Sequence, residues 1–215
     1  MTYLEAINNV LRRLREDEVT TTSETSYSAL IGDLINDAKK LVEDSWNWSS
    51  LRSTIQVPTV VGQAEYSLTG SGQSAVIKQA LSSSGHGFLT LNTVPYFDNV
   101  YFNQTPASAV PTDYIVSGVD DNDDLKVKVY PQPDAVYTLR FDIASPQALL
   151  AADATKIKVP YHPVVQMAYA MALRERGETG GQSAAEQFAV ASSALSDAIA
   201  VDANRYPSET TYMVV

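Results

Sequence analysis

The chain changes its apolar period twice. From Leu4 to Trp46 apolar residues recur at steps of three and four; from Ile55 to Ile143 they alternate; from Val164 to Ile199 the helical spacing returns. A pattern written for a helix does not sit still as a strand, so this order fixes the sequence of elements. If the outer helices pack together, the middle becomes an insertion in a helical body. The fold class read from this is α+β: N- and C-terminal helices packed as a helical bundle, with an inserted antiparallel β-rich domain. The boundaries fall at 1–50 and 160–204 for the helical body, 51–159 for the β-rich domain and 205–215 for a C-terminal docking arm.

The first helix opens on Thr2 and Glu5, a capping box in which each side chain satisfies the other residue's backbone N–H. Leu4, Ile7, Leu11 and Leu14 form its stripe, and Arg12, Arg13 and Arg15 near its end suit the helix dipole. A second helix is expected over 26–49, with Leu30, Ile31, Leu34, Ile35, Ala38, Leu41, Val42 and Trp46 as its apolar set. The two form an antiparallel hairpin. On a helix, Trp46 and Trp48 point to different faces. One reads as a core residue and the other as reaching the β segment or a neighbouring subunit; the alternative is that both anchor a domain junction. Both are candidate interface residues.

In the middle, Ile55 and Val57, then Tyr66 and Leu68, flank a Pro58–Gly62 turn and read as a hairpin. Residues 76–81 read as a short strand, and 88–112 as either helix or strand. Tyr114–Val116, Leu125–Val129 and Tyr137–Ile143 alternate apolar with polar residues and read as an antiparallel meander. Helix returns after Pro160, with Pro163 in its first turn, a face of Val164, Met167, Ala168, Met171 and Ala172, and Gly177 at its end. After a Gly180-Gly181 joint, a last helix over 183–203 carries Phe188, Ser192, Leu195 and Ile199. The tail beyond Arg205 contains Tyr206 and ends in Tyr212-Met213-Val214-Val215, an apolar group expected to dock on a partner.

No constellation supports catalysis. The histidines are His86, in a Ser/Gly loop too flexible by composition to hold Ser82, Ser83 or Ser84 as a nucleophile, and His162, expected to cap or pack at its helix start. The acidic run Asp120–Asp124 fails as a calcium loop, because position six is Leu125 and position twelve is Pro131. Gly70-x-Gly72 and Gly85-x-Gly87 lack the helix and lysine of a phosphate cradle. Catalytic, cofactor and metal residues are therefore none, and the expectation is a protein that is not an enzyme. There is no cysteine, which excludes disulfides and thiolate sites. The net charge of −10 makes a poor grip on duplex DNA. No run of apolar residues is long enough to span a membrane.

Taken in order, several short motifs carry a resemblance. Trp46-Asn47-Trp48-Ser49-Ser50-Leu51-Arg52 follows the helical hairpin. Then come Thr54–Val57 and Glu65–Leu68, Pro111–Val116, Leu125-Lys126-Val127-Lys128-Val129-Tyr130-Pro131-Gln132-Pro133, Leu139–Ile143 and Val159-Pro160-Tyr161-His162-Pro163. An Ala-rich helix with Arg174-Glu175-Arg176-Gly177-Glu178 closes the set. This layout resembles the head-to-tail adaptors of short-tailed phages, the tail tubular protein A and tail accessory factor group, across essentially the whole chain. The resemblance implies a virion protein assembled in the host cytoplasm. It implies a ring, dodecameric in the group, between the portal at the capsid vertex and the tail nozzle or fibres. DNA would pass through without sequence-specific binding, past a wall made repulsive by the chain's acidity. The alternatives are a tail-associated cell-wall hydrolase using paired carboxylates and another ring-forming tail completion or terminator protein.

Overall fold

The computed structural model describes residues 1–83, 87–177 and 182–205. The chain divides into two compact units. One contains Met1–Leu51 and the chain from Gln147 onward; the other is Arg52–Pro146. The fold is α+β, with N- and C-terminal helices packed together and two β-sheets inserted between them in sequence.

The helical unit contains α1 (Tyr3–Arg13), α2 (Ser26–Ser45), α4 (Tyr161–Glu175) and α5 (Gln182–Ala203). The capping box at Thr2 and Glu5 is present, with Thr2 N donating to Glu5 Oε2 at 2.8 Å and Glu5 N donating to Thr2 Oγ1 at 3.3 Å. A second box, Thr25 with Ser28, starts α2. The core takes Ile7, Val10 and Leu11 from α1, Ile31, Ile35, Ala38 and Val42 from α2, and Val164, Val165 and Ala168 from α4. α4 packs on α1, α2 and α5, so it is buried nearly all round. Gly177, at φ 70°, follows the Arg176 cap of α4 in the left-handed conformation that glycine adopts without a Cβ penalty. On α5 Phe188, Leu195 and Ile199 pack against the helical core and Ala191 is buried, while Ser192 is exposed.

α2 stops at Ser45, four residues short of the expected end. Trp46 is extended there (φ −155°, ψ 158°). The Trp48 indole N–H turns back to the Val42 carbonyl at 2.6 Å and satisfies an acceptor that the ended helix leaves open. Helical spacing in 46–49 thus gives way to a side-chain cap. Residues 147–159 also belong with the helices and not with the β insertion. Asn36 accepts from Leu150 N (2.8 Å) and donates to Leu150 O (3.1 Å), and Tyr3 N donates to Thr155 O at 2.8 Å. Such polar ties leave no periodic trace in the sequence.

The β unit holds two four-stranded sheets. The first runs β1 (Arg52–Pro58), β8 (Thr138–Ala144), β3 (Val76–Ser82), β4 (Gly87–Phe88); the second runs β2 (Glu65–Ser67), β7 (Leu125–Tyr130), β6 (Asp113–Val119), β5 (Thr90–Leu91). Leu139, Phe141, Ile143 and Ala80 of one sheet share a core with Tyr66, Tyr114, Val127 and Val129 of the other. The Tyr114 and Phe141 rings meet edge-on with centroids 5.9 Å apart. The sheets therefore pack face to face as a sandwich.

Two expected pairings are wrong. β1 and β2 form no hairpin: β1 pairs with β8, setting Ile55 against Phe141, and β2 pairs with β7, setting Tyr66 against Val127. The meander likewise breaks after β6–β7, because β8 lies in the other sheet. Alternation says which residues face inward, and in a sandwich either sheet satisfies it. The connections decide. Pro131 and Pro133 have no N–H to continue a ladder, so the chain leaves the second sheet after Tyr130. The loop after Pro58 is held by Tyr66, whose hydroxyl donates to Gln63 O at 2.7 Å and accepts from Val60 N at 3.1 Å. The stretch 88–112 contains both kinds of structure: β4 and β5, then α3 (Val94–Asp98) and a π-helical turn over Asn99–Asn103. Tyr96, Phe97 and Tyr101 gather there around the Tyr130 ring.

Candidate functional site

Of the residues singled out for interfaces, Trp46 and Trp48 lie among the described residues; Tyr206, Tyr212, Met213, Val214 and Val215 lie outside them, as do Ser84, His86, Gly180 and Gly181. Trp48 is buried in the helical core. Trp46 is about one-third exposed and donates from Nε1 to Asp202 Oδ2 at 3.2 Å.

That bond belongs to a polar knot at the end of α5. Asp202 is buried and accepts from Ser49 N (3.0 Å), Ser49 Oγ (2.6 Å), Trp46 Nε1 and Arg205 (3.2 Å). Arg205 also donates to Ser49 Oγ at 3.0 Å. Burial pushes the Asp202 carboxyl upward, but the bonds from Ser49 and Trp46, with the nearby Arg205 charge, outweigh it and hold its pKa below the ordinary aspartate value. The knot joins the residues after α2 to the last turn of α5. Sequence reasoning found Trp46 and missed Asp202, one acidic residue among 25.

Beside the knot lies an open cleft of about 430 Å³, with Lys158, His162, Ala198, Val201, Asp202 and Arg205 in its wall. His162 is exposed at the second position of α4 and makes no capping bond, contrary to the role expected of it. The exposed lining of the cleft is mostly apolar. Among the described residues no three His, Asp or Glu side chains group to hold a metal ion. Nor is any described helix long and apolar enough to cross a membrane.

Two further features escaped the sequence reading. Lys39 and Glu43 are buried side by side on α2: the ammonium donates to Glu43 Oε1 (3.2 Å) and to the carbonyls of Gln147 (2.7 Å) and Ala148 (3.3 Å), while Gln147 N donates to Glu43 Oε1 at 3.2 Å. In the β unit the acidic run Asp120–Asp124 ends in a buried carboxylate. Asp124 accepts from Gly70 N (3.0 Å) and Gly72 N (2.9 Å). Ser83 Oγ accepts from Thr138 N at 2.9 Å.

The Asp202 knot, the Lys39–Glu43 pair and Asp124 hold the chain's own segments together. The decisive observation is that residues 1–212 match the SU10 adaptor protein family. The chain belongs to that family. As an SU10-type adaptor it is a phage head-to-tail protein, structural rather than catalytic. No curated protein matches the chain.

Proposed function

We propose that this SU10-family adaptor forms a ring, dodecameric as in the group it resembles, between the portal and the tail nozzle or fibres. The match over residues 1–212 carries this reading. In it the adaptor works in the virion after assembly in the host cytoplasm. DNA leaves through the ring without sequence-specific contact, and the net charge of −10 per copy keeps the passing polyanion from sticking.

The arm beyond Arg205 is the docking element, with Tyr206, Tyr212, Met213, Val214 and Val215 as its contacts. The Asp202–Ser49–Arg205 knot supports this, because an arm transmits force only from a fixed root. Trp46, partly exposed at the same root, is the second contact. The test is truncation after Arg205, which leaves the knot whole. Expected are an unchanged circular dichroism spectrum and loss of attachment to tail-less heads; undiminished attachment refutes the arm.

A further inference from the structure

We propose that the cleft beside the Asp202 knot seats this chain's own residues 206–215 until a partner takes them. The argument starts on α5. Ala194, Ala198 and Val201 are four and three apart, so they share one face of that helix, and all three line the cleft. Pro160 and Pro163, at the start of α4, add to the lining. α5 ends in a turn in which Arg205 N donates to Asp202 O at 3.0 Å, and Arg205 itself lines the cleft. The chain after Arg205 therefore sets out from the cleft wall. Pro207 comes two residues later and has no N–H with which to extend the helix.

Residues 206–215 lie outside the described residues; their sequence, length and starting point name them as the occupant. The cleft lining is mostly apolar, and Tyr212-Met213-Val214-Val215 is the apolar group that follows Arg205. Seating that group there removes apolar surface from water on both sides. The volume of about 430 Å³ gives room for a few side chains. Ten residues extend at most about 33–36 Å. The stretch of α5 along the cleft, from Ala194 to Arg205, is about 17 Å long, so the segment can double back over it. Charge does not oppose this. Lys158 and Arg205 balance Asp197 and Asp202 in the wall, and Arg205 and Asp202 are already paired at 3.2 Å. His162, when protonated, adds to the positive side. Glu209, the segment's one charged side chain, thus meets no net negative field there, on a chain whose net charge is −10. A tether this short gives the segment a local concentration on the order of millimolar, so it fills its own cleft before a second copy's. The inference rests on the arm as the docking element and adds its resting place: a partner engages the arm by outcompeting the cleft.

The chain has no cysteine, so introduced pairs report cleanly. Full-length V201C/T211C and A200C/T211C variants are oxidised over a range of concentrations and run on non-reducing gels. Val201 lines the cleft; Ala200, its exposed neighbour on α5, does not, and the two are nearly equally far from Arg205 along the helix. Expected from V201C/T211C is a cross-linked monomer, formed at a rate independent of concentration and about tenfold faster than from A200C/T211C. Equal rates overturn the inference. Dimers whose share grows with concentration put the segment in a second copy's cleft and overturn it as well. As a second measure, V201D is expected to raise attachment to tail-less heads about threefold at limiting concentration, because it frees an arm that the cleft otherwise holds. Attachment that is unchanged or reduced overturns the inference. The arm reading fails separately. Undiminished attachment after truncation at Arg205 refutes it even where V201C/T211C cross-links, while equal cross-linking rates leave the truncation result standing.

Discussion

The two units are specified by different chemistry. The helical unit buries charge: Lys39 with Glu43, and Asp202 in its knot, tie segments more than a hundred residues apart in sequence. The β unit has an apolar and aromatic core in which Phe141 stands at the centre of β8, paired with Ile55 on one side and Ala80 on the other. A buried ion pair contributes little net stability against a well-packed apolar substitute, yet breaking it is costly. The helical unit is therefore held to one register of its segments by buried charged groups, and the β unit mainly by shape, with the buried Asp124 carboxylate tying Gly70 and Gly72 to the start of β7.

The largest expected effect separates these directly. K39M leaves Glu43 buried without its cation and is expected to cost about 3–5 kcal/mol in urea denaturation. F141A leaves a cavity and is expected to cost a similar amount, about 3–5 kcal/mol. Only the first has a simple rescue: K39M/E43L recovers most of the loss. A double variant no better than K39M would show that the pair contributes stability as well as specificity.

Next comes Asp202. Its folded pKa is depressed, so its contribution is fully present above the unfolded pKa and is lost as pH falls through the folded value. D202N is expected to cost about 2–3 kcal/mol at neutral pH, through loss of hydrogen bonds to a charged acceptor. It is also expected to flatten the acid limb of the stability–pH curve below the ordinary aspartate range. An acid limb identical to that of the parent chain would remove Asp202 from the account.

Smaller effects follow from single contacts in the helical unit. At Gly32 an added Cβ meets the Tyr3 hydroxyl. G32A is expected to lose about 1–3 kcal/mol despite alanine's better helix propensity. In Y3F/G32A part of that loss returns, measured as a shift in thermal midpoint. The smallest is T2A, which removes half of the α1 capping box and is expected to cost about 1 kcal/mol.

How much of this was legible depends on the range of the interaction. Thr2 and Glu5 are three residues apart, and their box was read correctly, as were Gly177 and most of the inward stripes. Lys39 and Glu43 were not, because a lysine and a glutamate four apart look like a solvent-facing helix pair until Gln147 and Ala148 arrive over them. β1 and β2 were paired with each other because they are neighbours in sequence, whereas their partners β8 and β7 are far along the chain. The Asp202 knot needed three segments at once. Local chemistry is visible in a sequence, and the choice among distant partners is not.

The central claim is a ring at the capsid vertex. Averaged images of assembled particles, viewed along the tail axis, test it most directly. A closed ring of this chain between portal and tail is expected. A single copy at that position, or the chain found only free in the lysate, would contradict it.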